Sequence, residues 1–199
     1  VLPRSLLAAS VLCVLLGHGA ARCDASLAPA ARAQAEQRDL SDARQMFLEG
    51  VAHARSAQWE LALVAFEAAY AIAPRPAVLF NLAAAQMRTG KLLASNANFR
   101  RFVNSDDPTI TRVQRHAAEL QRASVEGRIP RLRIEIDGLK DGDRILLDHG
   151  RIYPDELGHE LWIDPGVHRV RVDRPRGDQE LRTIAVSEGQ VRVLAFRMP

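Results

Sequence analysis

Between Ser41 and Val103 apolar residues return every three or four positions, and beyond Arg131 they return every second one. The first period is that of a helix with one buried side, the second that of a half-buried strand. Met46, Phe47, Gly50, Val51 and Ala54 mark a first helix, with Ser41 or Asp39 placed to cap it. Leu61, Ala62, Ala65, Phe66 and Ala69 mark a second helix from about Gln58 to Ile72. Pro76 opens a third and Gly90 closes it, the ends at which each residue is best tolerated. A fourth runs from Lys91 to about Val103. Asp107-Pro108 then reads as cap and first residue of a fifth, ending near Ser124 and striped by Ile110, Val113, Ala117 and Leu120. From Arg131 the alternation of Leu132, Ile134 and Ile136 with Arg131, Arg133 and Glu135 predicts a strand. More strands are predicted at about Arg144–Leu147, Glu160–Ile163, Val167–Val172, Leu181–Val186 and Val191–Phe196. Asp141-Gly142, His149-Gly150, Pro165-Gly166 and Glu188-Gly189 supply the turns between them. The fold class is therefore α+β with two domains: helical hairpins of about five helices over residues 41–126, then a small antiparallel β-sandwich over residues 129–199.

The hairpins repeat. Gly50 and Ala83, Ala57 and Gly90, Trp59 and Leu92, Ala62 and Ser95, and Phe66 and Phe99 share one offset of 33 residues. Gly50, Trp59, Ala62, Phe66, Ala69 and Pro74 in the first copy, and Leu82, Ala83, Gly90 and Phe99 in the second, resemble the tetratricopeptide repeat pattern. Ser95 and Asn96 stand where that pattern has an alanine and an aliphatic residue. The resemblance implies a groove lined by the first helix of each copy: Arg44, Phe47, Val51 and Arg55, then Ala77, Phe80, Ala84, Met87 and Arg88. Phe47 and Val51 occupy the places of the cation and amide used by repeats that clamp a terminal carboxylate, so that clamp is not implied. An apolar groove rimmed by arginine suits a peptide with aliphatic anchors and an acidic flank. Packing of the same residues against the capping helix or a neighbouring subunit is the competing expectation.

In the β part, "ILLDHG" at 145–150, "LWIDPGVHRVRV" at 161–172 and "IAVSEGQVRVLAF" at 184–196 resemble the PEGA-type domain of bacterial envelope proteins. "KDGD" at 140–143 stands where the naming Pro-Glu-Gly-Ala would be. Both resemblances are to interaction modules, which implies an exported scaffold or adaptor of the cell envelope with a protein partner. A glycan- or peptidoglycan-binding protein that uses the sandwich is the alternative.

The N-terminus adds an address. Arg4 followed by the apolar run "LLAASVLCVLL" and small residues is a secretory signal pattern over residues 1–25, shorter than the roughly 20 apolar residues that span a bilayer. Cleavage is expected after Ala25 or further on near Ala33, and export to the periplasm or envelope follows. Residues 26–40, rich in Ala, Gln and Arg, read as a flexible spacer. Cys13 and Cys23 are the two cysteines, both in this region, so the mature chain needs no disulfide. Lipidation at Cys23 is the one route to membrane association, and Arg22 beside it argues against that route.

The chain carries a formal net charge of +3, and its arginines are interleaved with Asp and Glu. That mixture describes a solvated surface and excludes an uncompensated nucleic-acid stripe. No motif for a nucleophile elbow, phosphate loop or metal site occurs, so no catalytic residue, metal or cofactor is assigned and an enzyme is not expected. His53, His116, His149, His159 and His168 are scattered and read as surface histidines. Asp137, Asp141, Gly142 and Asp148 approach calcium-loop spacing, but Leu139 stands at a ligand position. Trp162, alternating with Leu161 and Ile163, is expected in core or inter-domain packing, with stacking of Trp162 and Tyr153 on a sugar as the alternative.

Overall fold

The computed structural model describes residues 27–198 apart from residue 176. The expected signal segment, its cleavage after Ala25, and Cys13 and Cys23 lie outside the described residues. By compactness the chain divides into residues 1–37 and 38–199. Among the described residues five α-helices are followed by seven strands in two sheets.

Helix α1 (Leu27–Arg55) begins well before Ser41, so the stretch expected as a flexible spacer is helical and neither Asp39 nor Ser41 is a cap. Ala, Gln, Arg and Glu are strong helix formers, and Pro29 falls in the first turn, where its missing amide breaks no bond. Helices α2 (Trp59–Ile72), α3 (Pro76–Arg88) and α4 (Leu92–Val103) fall where the pattern puts them. Helix α5 (Arg112–Glu126) starts later than expected. Its cap is Thr111, whose hydroxyl accepts from the Gln114 amide while the Gln114 side chain accepts from the Thr111 amide. Asp107-Pro108 instead forms a turn, in which Asp107 Oδ1 accepts from the Thr109 amide at 2.8 Å.

The 33-residue offset is a backbone repeat as well as a sequence one. Gln58 N–H donates to His53 O at 2.9 Å and Lys91 N–H donates to Gln86 O at 2.9 Å, the closing bonds of two Schellman caps. The left-handed residue of each cap is Ala57 (φ 55°) in the first copy and Gly90 (φ 76°) in the second. Where α1 crosses α2 the chain has no room for a side chain: a Cβ on Gly50 would lie 2.6 Å from the Phe66 ring. At the equivalent crossing α4 presents Ser95, fully buried, which satisfies itself by donating to Ala83 O at 2.8 Å. The polar residue at the alanine position is thus accommodated by a hydrogen bond between helices.

The helical core forms two clusters, one around Ala62, Leu63, Phe66 and Leu82 and one around Leu92, Phe99, Phe102 and Ala118. In α2 the buried side is Ala62, Leu63, Phe66 and Ala69, and Leu61, expected with them, is exposed. In α5 the buried side is Ala118 and Val125, whereas Val113 is 79% and Leu120 59% exposed. The expected stripe is therefore rotated, because Arg115 turns inward to donate to the Val103 and Ser105 carbonyls at the end of α4.

In the β part, β1 (Arg131–Asp137) lies between β4 (Glu160–Trp162) and β7 (Val191–Arg197). The second sheet has the order β3-β2-β5-β6, from β2 (Arg144–Leu147), β3 (Gly150–Ile152), β5 (Gly166–Asp173) and β6 (Gln179–Val186). Strand β3 escapes a sequence reading because it begins on Gly150, expected in a turn, and carries a single apolar residue, Ile152. Every pair is antiparallel except β1 and β7, which run parallel in the register Arg131↔Val191 to Asp137↔Arg197. The inward residues Leu132, Ile134, Ile145, Val170, Val172, Ile184 and Val186 fill the space between the sheets.

Two joints tie the helices to the sandwich. At the α5–β1 junction the Arg128 guanidinium donates to both oxygens of Glu188, at 2.9 and 2.8 Å. At the other joint the β4–β5 turn reaches α4. Lys91, at the cap position of α4, offers no side-chain acceptor, and Asp164 Oδ1 takes the Leu93 amide at 2.8 Å in its place. His168, nearly buried, holds that turn from behind, with Nε2 2.7 Å from Asp164 O and Nδ1 2.7 Å from Asp148 Oδ2. His168 is thus an internal strut and not the surface histidine expected. Burial pushes Asp148 up, but the Arg169 amide and His168 outweigh it and hold the carboxyl below its ordinary range.

Candidate functional site

Helix α3 carries an apolar face that its neighbours only partly cover. Phe80 sits with its ring centroid 5.5 Å from Phe99 and 5.4 Å from Phe102, edge-on to both, and stays half-buried. Beside it opens a cleft of about 380 Å³ between α3 and the start of α5, walled by Pro76, Ala77, Phe80, Ile110, Gln114 and Ala117. Pro76 is there because the α2–α3 corner needs an N-terminal proline; Ile110 is there because the Asp107 turn bends the chain back before α5. Asn81, at the rim, donates to Ala77 O at 2.8 Å and so presents its carbonyl oxygen outward from that bond.

The nine residues expected to line the partner groove do not share one wall. Phe47 and Val51 pack in the first cluster, with the Phe47 ring 5.7 Å from Phe66. Phe80, Ala84 and Met87 pack in the second. Arg44 and Arg55 are exposed on α1, and Arg88 stacks over Trp59 at 5.3 Å. Of the nine, Ala77 and Phe80 line the α3–α5 cleft. The missing wall comes from Ile110, Gln114 and Ala117. Sequence reasoning treated the stripe of the fifth helix as core, and the signal that would have redirected it is Arg115, a cation in phase with the true buried side.

In the sandwich, Trp162 is 45% exposed and paired across the sheet with Arg131. This corrects the expectation of core packing: Leu161 and Ile163 turn inward, and the alternation sends Trp162 out. Tyr153, also exposed, lies under the Arg151 guanidinium at 5.1 Å. The acidic stretch 137–148 spends its carboxylates on separate partners: Asp137 on Arg197, Asp143 on the Lys140 amide, and Asp148 on His168. Among the described residues no three His, Cys, Asp or Glu side chains gather at one point, and no helix is long and apolar enough to cross a membrane. Set against known proteins, the chain matches no family model, no curated protein and no solved structure.

Proposed function

We propose that the chain is an exported, non-enzymatic scaffold or adaptor of the bacterial cell envelope, built from tetratricopeptide-like hairpins and a PEGA-like sandwich. It holds a protein partner in the cleft between α3 and α5. The observation that supports this reading is the half-buried Phe80 in a cleft lined mainly by apolar side chains, with Asn81, Thr109 and Gln114 as its polar groups. A cleft of this size suits one or two aliphatic side chains of a partner. The test places a photoreactive amino acid at Ala77 or Gln114 in the full-length chain, with Thr183, exposed on β6, as control. Crosslinks to one defined protein from the cleft positions, and none from Thr183, are expected in intact envelopes. Equal labelling at all three positions refutes the reading. The N-terminal mass of protein recovered from the periplasm reports export and any lipid on Cys23.

A second reading follows from Trp162 and Tyr153, which face outward as sugar-stacking residues do. It assigns glycan or peptidoglycan binding to the sandwich, and Trp162→Ala should then abolish retention of the full-length chain on peptidoglycan.

A further inference from the structure

A second cleft, of about 440 Å³, opens where α2 passes into α3, and it shares Pro76, Phe102 and Ile110 with the apolar cleft. Its polar lining is cationic: Arg75, Arg100 and Arg101 face a single carboxylate, Asp107. That carboxylate is already engaged. The Thr109 hydroxyl and amide both donate to Oδ1, and together with the nearby charge of Arg75 they hold Asp107 below its ordinary range. Among the described residues neither Arg75 nor Arg100 makes an ion pair or a side-chain hydrogen bond. Arg101 is held by neutral groups, donating to the Tyr70 hydroxyl at 3.1 Å and to Asn98 Oδ1 at 3.3 Å.

The cleft borders the C-terminal end of α4 through Asn104 and Ser105, and the partial negative charge of that helix end disfavours an anion. Arg115 removes much of that penalty by donating to the Val103 and Ser105 carbonyls from the α5 side. What remains is a concave surface with three guanidiniums and one engaged carboxylate, in which Arg75 and Arg100 can each take a carboxylate through two parallel N–H bonds and the tethered Arg101 adds its charge. The floor between the arginines and Phe80 is apolar.

We propose that this corner binds the carboxylates of an acidic segment in a partner polypeptide, whose neighbouring aliphatic side chain fills the Phe80 cleft. The proposal rests on the reading of that cleft as the partner site and adds the chemistry of the partner. The shared wall favours a peptide over a small anion. Successive residues of an extended chain are about 3.3–3.6 Å apart, so one chain crossing Pro76 and Ile110 serves both clefts, whereas a free phosphate would use the arginines and leave the apolar cleft vacant.

The experiment is fluorescence anisotropy on the full-length mature chain with three labelled octapeptides. One combines Glu and Asp with Leu, one replaces the acids by Gln and Asn, and one keeps the acids but replaces Leu by Ser. The acidic leucine peptide should bind at least tenfold more tightly than its amide counterpart at low ionic strength, with the advantage shrinking as salt is added. Arg75→Gln with Arg100→Gln, both at exposed positions, should bring the acidic peptide down to the level of the amide peptide and leave the latter unchanged. Equal binding of the two leucine peptides, or no effect of the double variant, overturns the acidic-segment proposal while the apolar cleft stands. Failure of both leucine peptides to bind overturns the two together. Binding of inorganic phosphate or phosphatidylglycerol vesicles, undisturbed by the acidic leucine peptide, reassigns the arginines to that source and overturns it as well.

Discussion

Removing the Asp164 side chain should loosen the helical part of the chain, although Asp164 belongs to the sandwich. Helix α4 has no side-chain cap of its own, and Asp164 Oδ1 supplies one to Leu93 N at 2.8 Å. Loss of a capping side chain costs about 1 kcal/mol, and loss of a negative charge at a helix N-terminus adds about 0.5 kcal/mol. Leu93 is exposed, so its released amide returns to water and no buried-group penalty is added. The sum, about 1.5 kcal/mol, corresponds to a fall in melting temperature of about 4 °C for a unit of this size. Asp164→Asn keeps an acceptor and loses the charge, and should recover about two thirds of that loss. The His168 contact is made to the Asp164 backbone carbonyl and survives both changes. Thermal unfolding by circular dichroism reads the total, and hydrogen exchange of the Leu93 amide reads its place. A melting temperature within about 1 °C of the parent for Asp164→Ala, with unaltered exchange at Leu93, refutes the capping account.

Three other outcomes can be checked by the same unfolding measurements. Gly50→Ala pushes a methyl into the buried Phe66 ring, 2.6 Å away, and should cost about 1–3 kcal/mol. Ala57→Gly should stabilise the chain by up to about 1 kcal/mol, since Ala57 sits at φ 55° in a cap whose counterpart is Gly90. The Arg128 bond holds Glu188 below its ordinary 4.5, so the pair contributes above that pH and the contribution is lost as pH falls through the lowered value. Glu188 and Arg128 are both more than a third exposed, which limits the effect to below about 1 kcal/mol; Glu188→Gln should flatten the stability curve in that acid range.

The helix and strand positions were readable because each period is set by local geometry. Pro76, Gly90 and the Leu132–Ile136 alternation mark boundaries that no distant contact moves. The errors share a physical origin in partners far along the chain. Arg115 turns α5 by reaching back to Val103, which exposes Val113 and Leu120. Ser95 is buried because a carbonyl of α3 waits for it. The helical start of α1 was hidden by a choice between two readings of one composition, since Ala, Gln and Arg suit both a solvated spacer and an exposed helix. The apolar cleft was half legible: Phe80 stands out at its offset from Phe47, but the opposite wall depends on the rotation of α5.

The parallel pairing of β1 with β7 sets a condition on synthesis. Strand β1 waits for β7, and their seven-residue register closes only when the rest of the sandwich has been made. Until then Leu132 and Ile134 lack one neighbour and the sandwich has an open side. Long-range pairing of this kind slows folding relative to local hairpins. The helical hairpins need no such partner, so deletion of β7 should leave them folded beside an unfolded sandwich segment.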